Sequence, residues 1–100
     1  MLYALIGEDI PGSLELRLKA RPAHLARIEA LQAQGRLVLA GPFPAIDSPD
    51  PGPAGFSGSL IVAEFGSQAE AEAWLKADPR RPLNAAERAE LVKAIERGER

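Results

Sequence analysis

One imidazole and one Asp-Pro carboxylate are the groups in this chain best suited to moving a proton. Histidine is the side chain whose charge changes near neutral pH, and His24 is the only one among 100 residues. On a helical wheel of about 100° per residue, His24 falls between Ile28 and Leu31, on the apolar arc. Arg17 and Arg21 share that arc if the helix is continuous. An inward imidazole beside arginines suits proton transfer on an anionic ligand. The competing reading is a structural histidine bonded to a backbone carbonyl, and local pattern alone favours it. Asp78 precedes Pro79 and reads locally as an ordinary turn residue. Close to His24 it would act differently. A carboxylate on one imidazole nitrogen fixes the tautomer and raises the basicity of the other. Spacing in sequence does not show whether the two meet.

Ser59 follows Gly58 at the start of an apolar run. Its hydroxyl is a candidate ligand contact or a plain strand-start serine. No Gly-x-Ser-x-Gly surrounds it, so a hydrolase elbow is not supported. Gly41 would let a ligand approach the backbone, although turn chemistry alone accounts for Gly41-Pro42. Gly52, Gly55 and Gly58 are not followed by Gly-Lys-Ser/Thr and make no phosphate cradle. Asp47 and Asp50 read as solvated loop residues and Trp74 as core.

Composition removes several function classes. The chain has no cysteine, so it offers no thiolate chemistry and no thiolate metal ligand. A lone histidine excludes a multi-histidine metal site within one chain, and no cofactor is expected. Twelve basic residues face 14 acidic ones for a net charge of −2. They are scattered apart from Arg80-Arg81, so there is no basic face for a nucleic-acid duplex. Five aromatic residues, Tyr3, Phe43, Phe56, Phe65 and Trp74, are few for stacking on single strands. No stretch approaches membrane-spanning length. Met1 to Asp9 carries no basic leader and only a short apolar run, which leads to the expectation of a cytoplasmic protein.

The elements that must position these residues follow from hydrophobic pattern. Leu2 to Ile6 reads as a buried strand ended by Gly7, and Asp9-Ile10-Pro11-Gly12 as a turn. Ser13 is a candidate cap for a helix from Leu14 to Gln34, with Gly35 as its stop. Pro22 falls inside this helix, predicting a kink or a division into two. Leu37 to Ala40 is a second strand. Gly41 to Gly58 holds five of the nine prolines and four of the nine glycines, so it reads as a long irregular loop. Ser59 to Phe65 is the clearest strand. Ser67 with Glu70 forms a capping box for a helix from Gln68 to Lys76. Asn84 with Glu87 repeats that signature, predicting a tail helix from Ala85 to Arg97. The order suggests one domain of α+β class, a ferredoxin-like split βαβ sheet with helices on one face. The bare sheet face would then need a cover, which a second subunit would supply.

Several segments together resemble the YciI-like (YCII-related) family. Arg21-Pro22-Ala23-His24-Leu25-Ala26-Arg27 is similar to its histidine segment, and Ser13-Leu14-Glu15 to its usual start. Ala40-Gly41-Pro42, Asp47-Ser48 and Asp50-Pro51-Gly52 resemble its central loop. Gly55-Phe56, Gly58-Ser59 and Ala63-Glu64-Phe65 match its third strand, and Ala73-Trp74 with Ala77-Asp78-Pro79 its second helix and Asp-Pro turn. The resemblance covers residues 1–79, leaving 80–100 as a divergent tail. It implies a dimeric α/β barrel and a small cavity in which a paired histidine and aspartate fall on His24 and Asp78. The family usually continues after Asp-Pro with an aromatic residue, a glycine-containing turn and a fourth strand. Here Arg80-Arg81-Pro82-Leu83 and the predicted helix take that place, so the fourth strand is expected to be replaced.

Three functions remain open. The first is a lyase or isomerase for a small cyclic or enolisable compound, which the resemblance suggests by analogy. In it His24 is the acid–base group, Asp78 its orienter, Arg17 or Arg21 the anion holder, and Ser59 and Gly41 line the pocket. The second is a homodimeric ligand-binding or accessory module without turnover. The third is a structural or interaction protein using its altered tail.

Overall fold

The computed structural model describes residues 1–93. Its order is β1 (Leu2–Asp9), α1 (Leu14–Ala33), β2 (Leu37–Pro44), β3 (Phe56–Glu64), α2 (Gln68–Lys76) and β4 (Asn84–Val92), with short 3-10 turns at Gly52–Ala54 and Arg81–Leu83. The strands form one antiparallel sheet in the order β2-β3-β1-β4. β1 and β2 are therefore parallel with β3 inserted between them, which is the split βαβ arrangement of a ferredoxin-like α+β fold.

Both helices pack on the same sheet face. Alternate residues of β1 and β3 point there: Tyr3 lies opposite Ala63 and Leu5 opposite Ile61. With Phe65 and Ala89 they meet Ile28 and Leu31 of α1 and Ala71 and Leu75 of α2 in one buried cluster. β1 and β3 approach closely where Gly58 meets β1. A Cβ on Gly58 would lie 2.0 Å from the Gly7 carbonyl oxygen, so only glycine fits without movement.

α1 is a single helix despite Pro22, and the division into two helices is not realised. Its buried residues Arg17, His24, Ile28 and Leu31 lie on both sides of the proline. That stripe holds the two halves against one sheet, so tertiary packing outweighs the hydrogen bond that proline removes. Ser13 is buried but its side chain makes no cap bond; its carbonyl accepts the first backbone bond, from Arg17 N at 2.9 Å. Ser67 does cap α2, its Oγ accepting from Glu70 N at 3.1 Å. Glu70 Oε2 in turn accepts from Gly66 N at 2.8 Å.

Two expectations change. The proline-rich stretch is shorter as a loop, because β2 runs on to Pro44 and β3 starts at Phe56. The loop between them is tied by Ala45 N–H to the Gly55 carbonyl at 2.9 Å and by Ser48 and Asp50 side-chain bonds. The tail helix is absent where the chain is described: residues 84–92 form β4, paired along β1 from Asp9↔Asn84 to Leu2↔Val92. Residues 94–97 of that helix lie outside the described residues. Asn84 and Glu87 do bond, Nδ2 to Oε2 at 2.9 Å, but within a strand and not as a cap. Ala, Glu, Arg and Leu are good helix formers, yet an open β1 edge offers a full ladder of backbone partners, and the ladder wins. Among the described residues no helix is long and apolar enough to cross a membrane.

Candidate functional site

α1 and α2 deliver the central pair. His24 sits in the buried stripe of α1, and Asp78 lies just beyond the end of α2, where its N–H bonds the Leu75 carbonyl at 3.1 Å. The two meet inside the molecule: His24 Nδ1 is 2.9 Å from Asp78 Oδ2 and 3.1 Å from Oδ1. Nδ1 therefore carries the proton toward the carboxylate. Nε2 has no protein partner among the described residues, and the ring lines a cavity of about 450 Å³. Trp74 meets the imidazole edge-on, with ring centroids 6.5 Å apart.

Two further residues fasten Asp78. Arg27 Nη1 donates to Oδ2 at 2.9 Å and to the Trp74 carbonyl at 3.0 Å, and its guanidinium lies 4.0 Å from the Trp74 ring centroid. Arg80 donates its backbone N–H to Oδ1 at 2.9 Å. Burial by itself would raise the Asp78 pKa. The hydrogen bonds from His24 and the Arg80 backbone, with electrostatic attraction toward these two residues, outweigh it and hold the carboxyl below its ordinary value, so Asp78 stays ionised.

The other sequence candidates gather on the same cavity. Arg17, Arg21, Gly41 and Ser59 all line it, with Phe56 and Ile61 as apolar wall. Their roles divide by contact. Arg17 is buried, paired with Asp9 and stacked on Phe56 at 4.9 Å, so its charge is already met. Arg21 is exposed at the rim. Ser59 lies within β3, opposite Gly7 and Pro42, and accepts a bond from Arg80 Nη2 at 2.7 Å. Among the described residues no group of three or more His, Cys, Asp or Glu side chains converges as a metal site requires.

Sequence reasoning missed Arg27, Arg80 and Asp9. Arg27 is three residues after His24, a spacing that puts both on one helix face. Arg80 is two residues after Asp78, within reach of an Asx-type turn. Asp9 gave no signal, since its pairing with Arg17 depends on where β1 ends.

Fold and site together define a ferredoxin-like α+β protein with a ligand-sized cavity and a buried histidine–aspartate couple on its wall. The YCII-related domain model matches residues 1–94. Protein YciI of Escherichia coli is 57% identical over 79 residues, covering 79% of this chain and 81% of that protein. A protein of Haemophilus influenzae is 48% identical over the same coverage. The chain belongs to the YCII-related family. Among solved structures, 5-chloro-2-hydroxyhydroquinone dehydrochlorinase (TftG) of Burkholderia phenoliruptrix, in complex with 2,5-dihydroxybenzoquinone, superposes with a TM-score of 0.81. It shares 30% identity over 93% of this chain and 94% of that one.

Proposed function

We propose that this chain is a small-molecule enzyme of lyase or isomerase type, acting on a cyclic or enolisable compound through the His24–Asp78 couple. The observation that carries the reading is a buried imidazole held at Nδ1 by an ionised carboxylate, on the cavity wall and with no partner for Nε2 among the described residues. Nε2 takes a proton from a hydroxyl or an activated carbon, and the electron pair left behind moves into the ligand. The imidazolium then returns the proton elsewhere, giving an isomer. Alternatively a leaving group departs with its bonding pair and the proton passes to water, giving an elimination. Asp78 stabilises the imidazolium in both cases. Ser59, Gly41 and Arg21 contact the ligand. The name of TftG supports the elimination branch.

The test is chloride release from 5-chloro-2-hydroxyhydroquinone by wild type and His24→Ala. A general acid–base group contributes about 10²- to 10⁴-fold, and a loss in that range is expected. Release at equal rates by both proteins would contradict the reading. Binding without release by the wild type would favour a ligand-binding module instead.

A homodimer is part of the same proposal. The sheet face away from the helices presents Leu39 and Phe43, 46% and 41% exposed, beside Ile6, Leu60 and Val62, and a second copy is proposed to cover it. Light scattering should give a dimer; a monomer at micromolar concentration counts against this arrangement.

A further inference from the structure

Arg80 is a guanidinium buried at the cavity, with donors that the described residues leave unmet. Arg17 is paired with Asp9, and Arg27 with Asp78 and the Trp74 carbonyl. Arg80 is fixed at its backbone by the N–H bond to Asp78 Oδ1, and it lines the cavity. Its side chain is 11% exposed. Of its three guanidinium nitrogens only Nη2 has a hydrogen-bond acceptor among the described residues, the Ser59 hydroxyl. Nε is fully buried with no hydrogen-bond partner, 3.8 Å from Asp78 Oδ1. A buried, unmet N–H of a charged group is costly and is relieved by an acceptor.

Ser59 completes the arrangement. Its Oγ accepts from Arg80 and donates no bond among the described residues, while both residues line the cavity with His24. Burial, then the neighbouring Arg17 charge, lowers the Arg80 pKa, against the pull of Asp78 and Asp9.

We infer that Arg80 and Ser59 form an oxyanion site beside His24, which receives the oxygen that becomes negative when His24 removes a proton. The inference rests on the proposed proton transfer and names its substrate class: a phenol or enol whose conjugate base is an oxyanion. The balance is simple. The proton goes to His24 Nε2, and its electron pair stays with the ligand as phenolate or enolate charge. The Ser59 hydroxyl and the Arg80 guanidinium then donate to that oxygen.

The test is equilibrium binding and needs no turnover, so it stands apart from the fate of the catalytic reading. The probes are 4-nitrophenolate at pH 8.5 and its uncharged methyl ether, 4-nitroanisole, titrated into the full-length wild type by calorimetry. The wild type should bind the phenolate more tightly than the ether by about 10- to 100-fold, as expected of a charge-assisted bond in a buried site. Arg80→Gln should abolish that preference, and Arg80→Lys should restore part of it as a point charge. Ser59→Ala keeps the charge and should lower phenolate affinity by about threefold to tenfold. Circular dichroism checks that each variant is folded, and Ser59→Ala serves if Arg80→Gln is not. No phenolate preference in the wild type, or an undiminished one in folded Arg80→Gln and Ser59→Ala, would overturn the inference.

Discussion

Removing the Asp78 carboxylate should be among the most damaging single changes in the chain. It accepts from His24, Arg27 and the Arg80 backbone at 2.9 Å each, and its side chain is 5% exposed. Deleting one partner of a buried ion pair costs about 3–5 kcal/mol, because the other charge is left uncompensated. Arg27 is 25% exposed and keeps the Trp74 carbonyl, so the low end applies. Asp78→Ala should therefore lose about 3 kcal/mol, or about 12–24 °C in Tm for a domain of this size. The loss also depends on pH with a definite sign. The Asp78 pKa is depressed in the folded protein, so its stabilisation is complete above the unfolded value of about 3.9 and fades as pH falls through the folded one. Urea unfolding at fixed protein concentration, at pH 7 and again near pH 3, measures both features. A difference under about 1 kcal/mol at pH 7, the size of an ordinary turn effect, would refute the reasoning, as would a difference that survives acidification undiminished.

Other expectations follow from the same contacts. Gly58→Ala should destabilise by about 1–3 kcal/mol through forced movement of β1 against β3, read by denaturant midpoint; an unchanged midpoint would show that the strands part easily. Leu5, 1% exposed at the core centre, should lose about 2–5 kcal/mol as Leu5→Ala, measured by the same unfolding assay. Arg27→Met keeps the stem but removes the bond to Asp78 and the contact with Trp74. It should shift the emission of the single tryptophan, and an unaltered spectrum would count against the stacking geometry.

How far the site could be read from sequence depended on whether each signal was local. The phase of His24 was legible because Ile28 and Leu31 share its stripe, and the Ser67–Glu70 box because a cap is a short-range pattern. The ferredoxin-like order followed from the strand and helix rhythm. β4 was hidden because Asn84 to Val92 is written in helix formers, and only the β1 edge, a contact some 80 residues away in sequence, makes it a strand. No local pattern joins His24 to Asp78, 54 residues apart, and their pairing was expected only from the family resemblance. Arg80 was misplaced for a related reason. Assigned to a divergent tail, it instead anchors the carboxylate through its backbone and faces the cavity with its side chain.

The most direct test of the central claim, that Asp78 holds His24 with Nε2 presented to the cavity, is the ¹⁵N spectrum of the single imidazole in its neutral form. The account expects the proton on Nδ1 and a bare Nε2 in the wild type, with that tautomer preference lost in Asp78→Asn. A proton on Nε2 in the wild type, or a tautomer indifferent to Asp78→Asn, would contradict it.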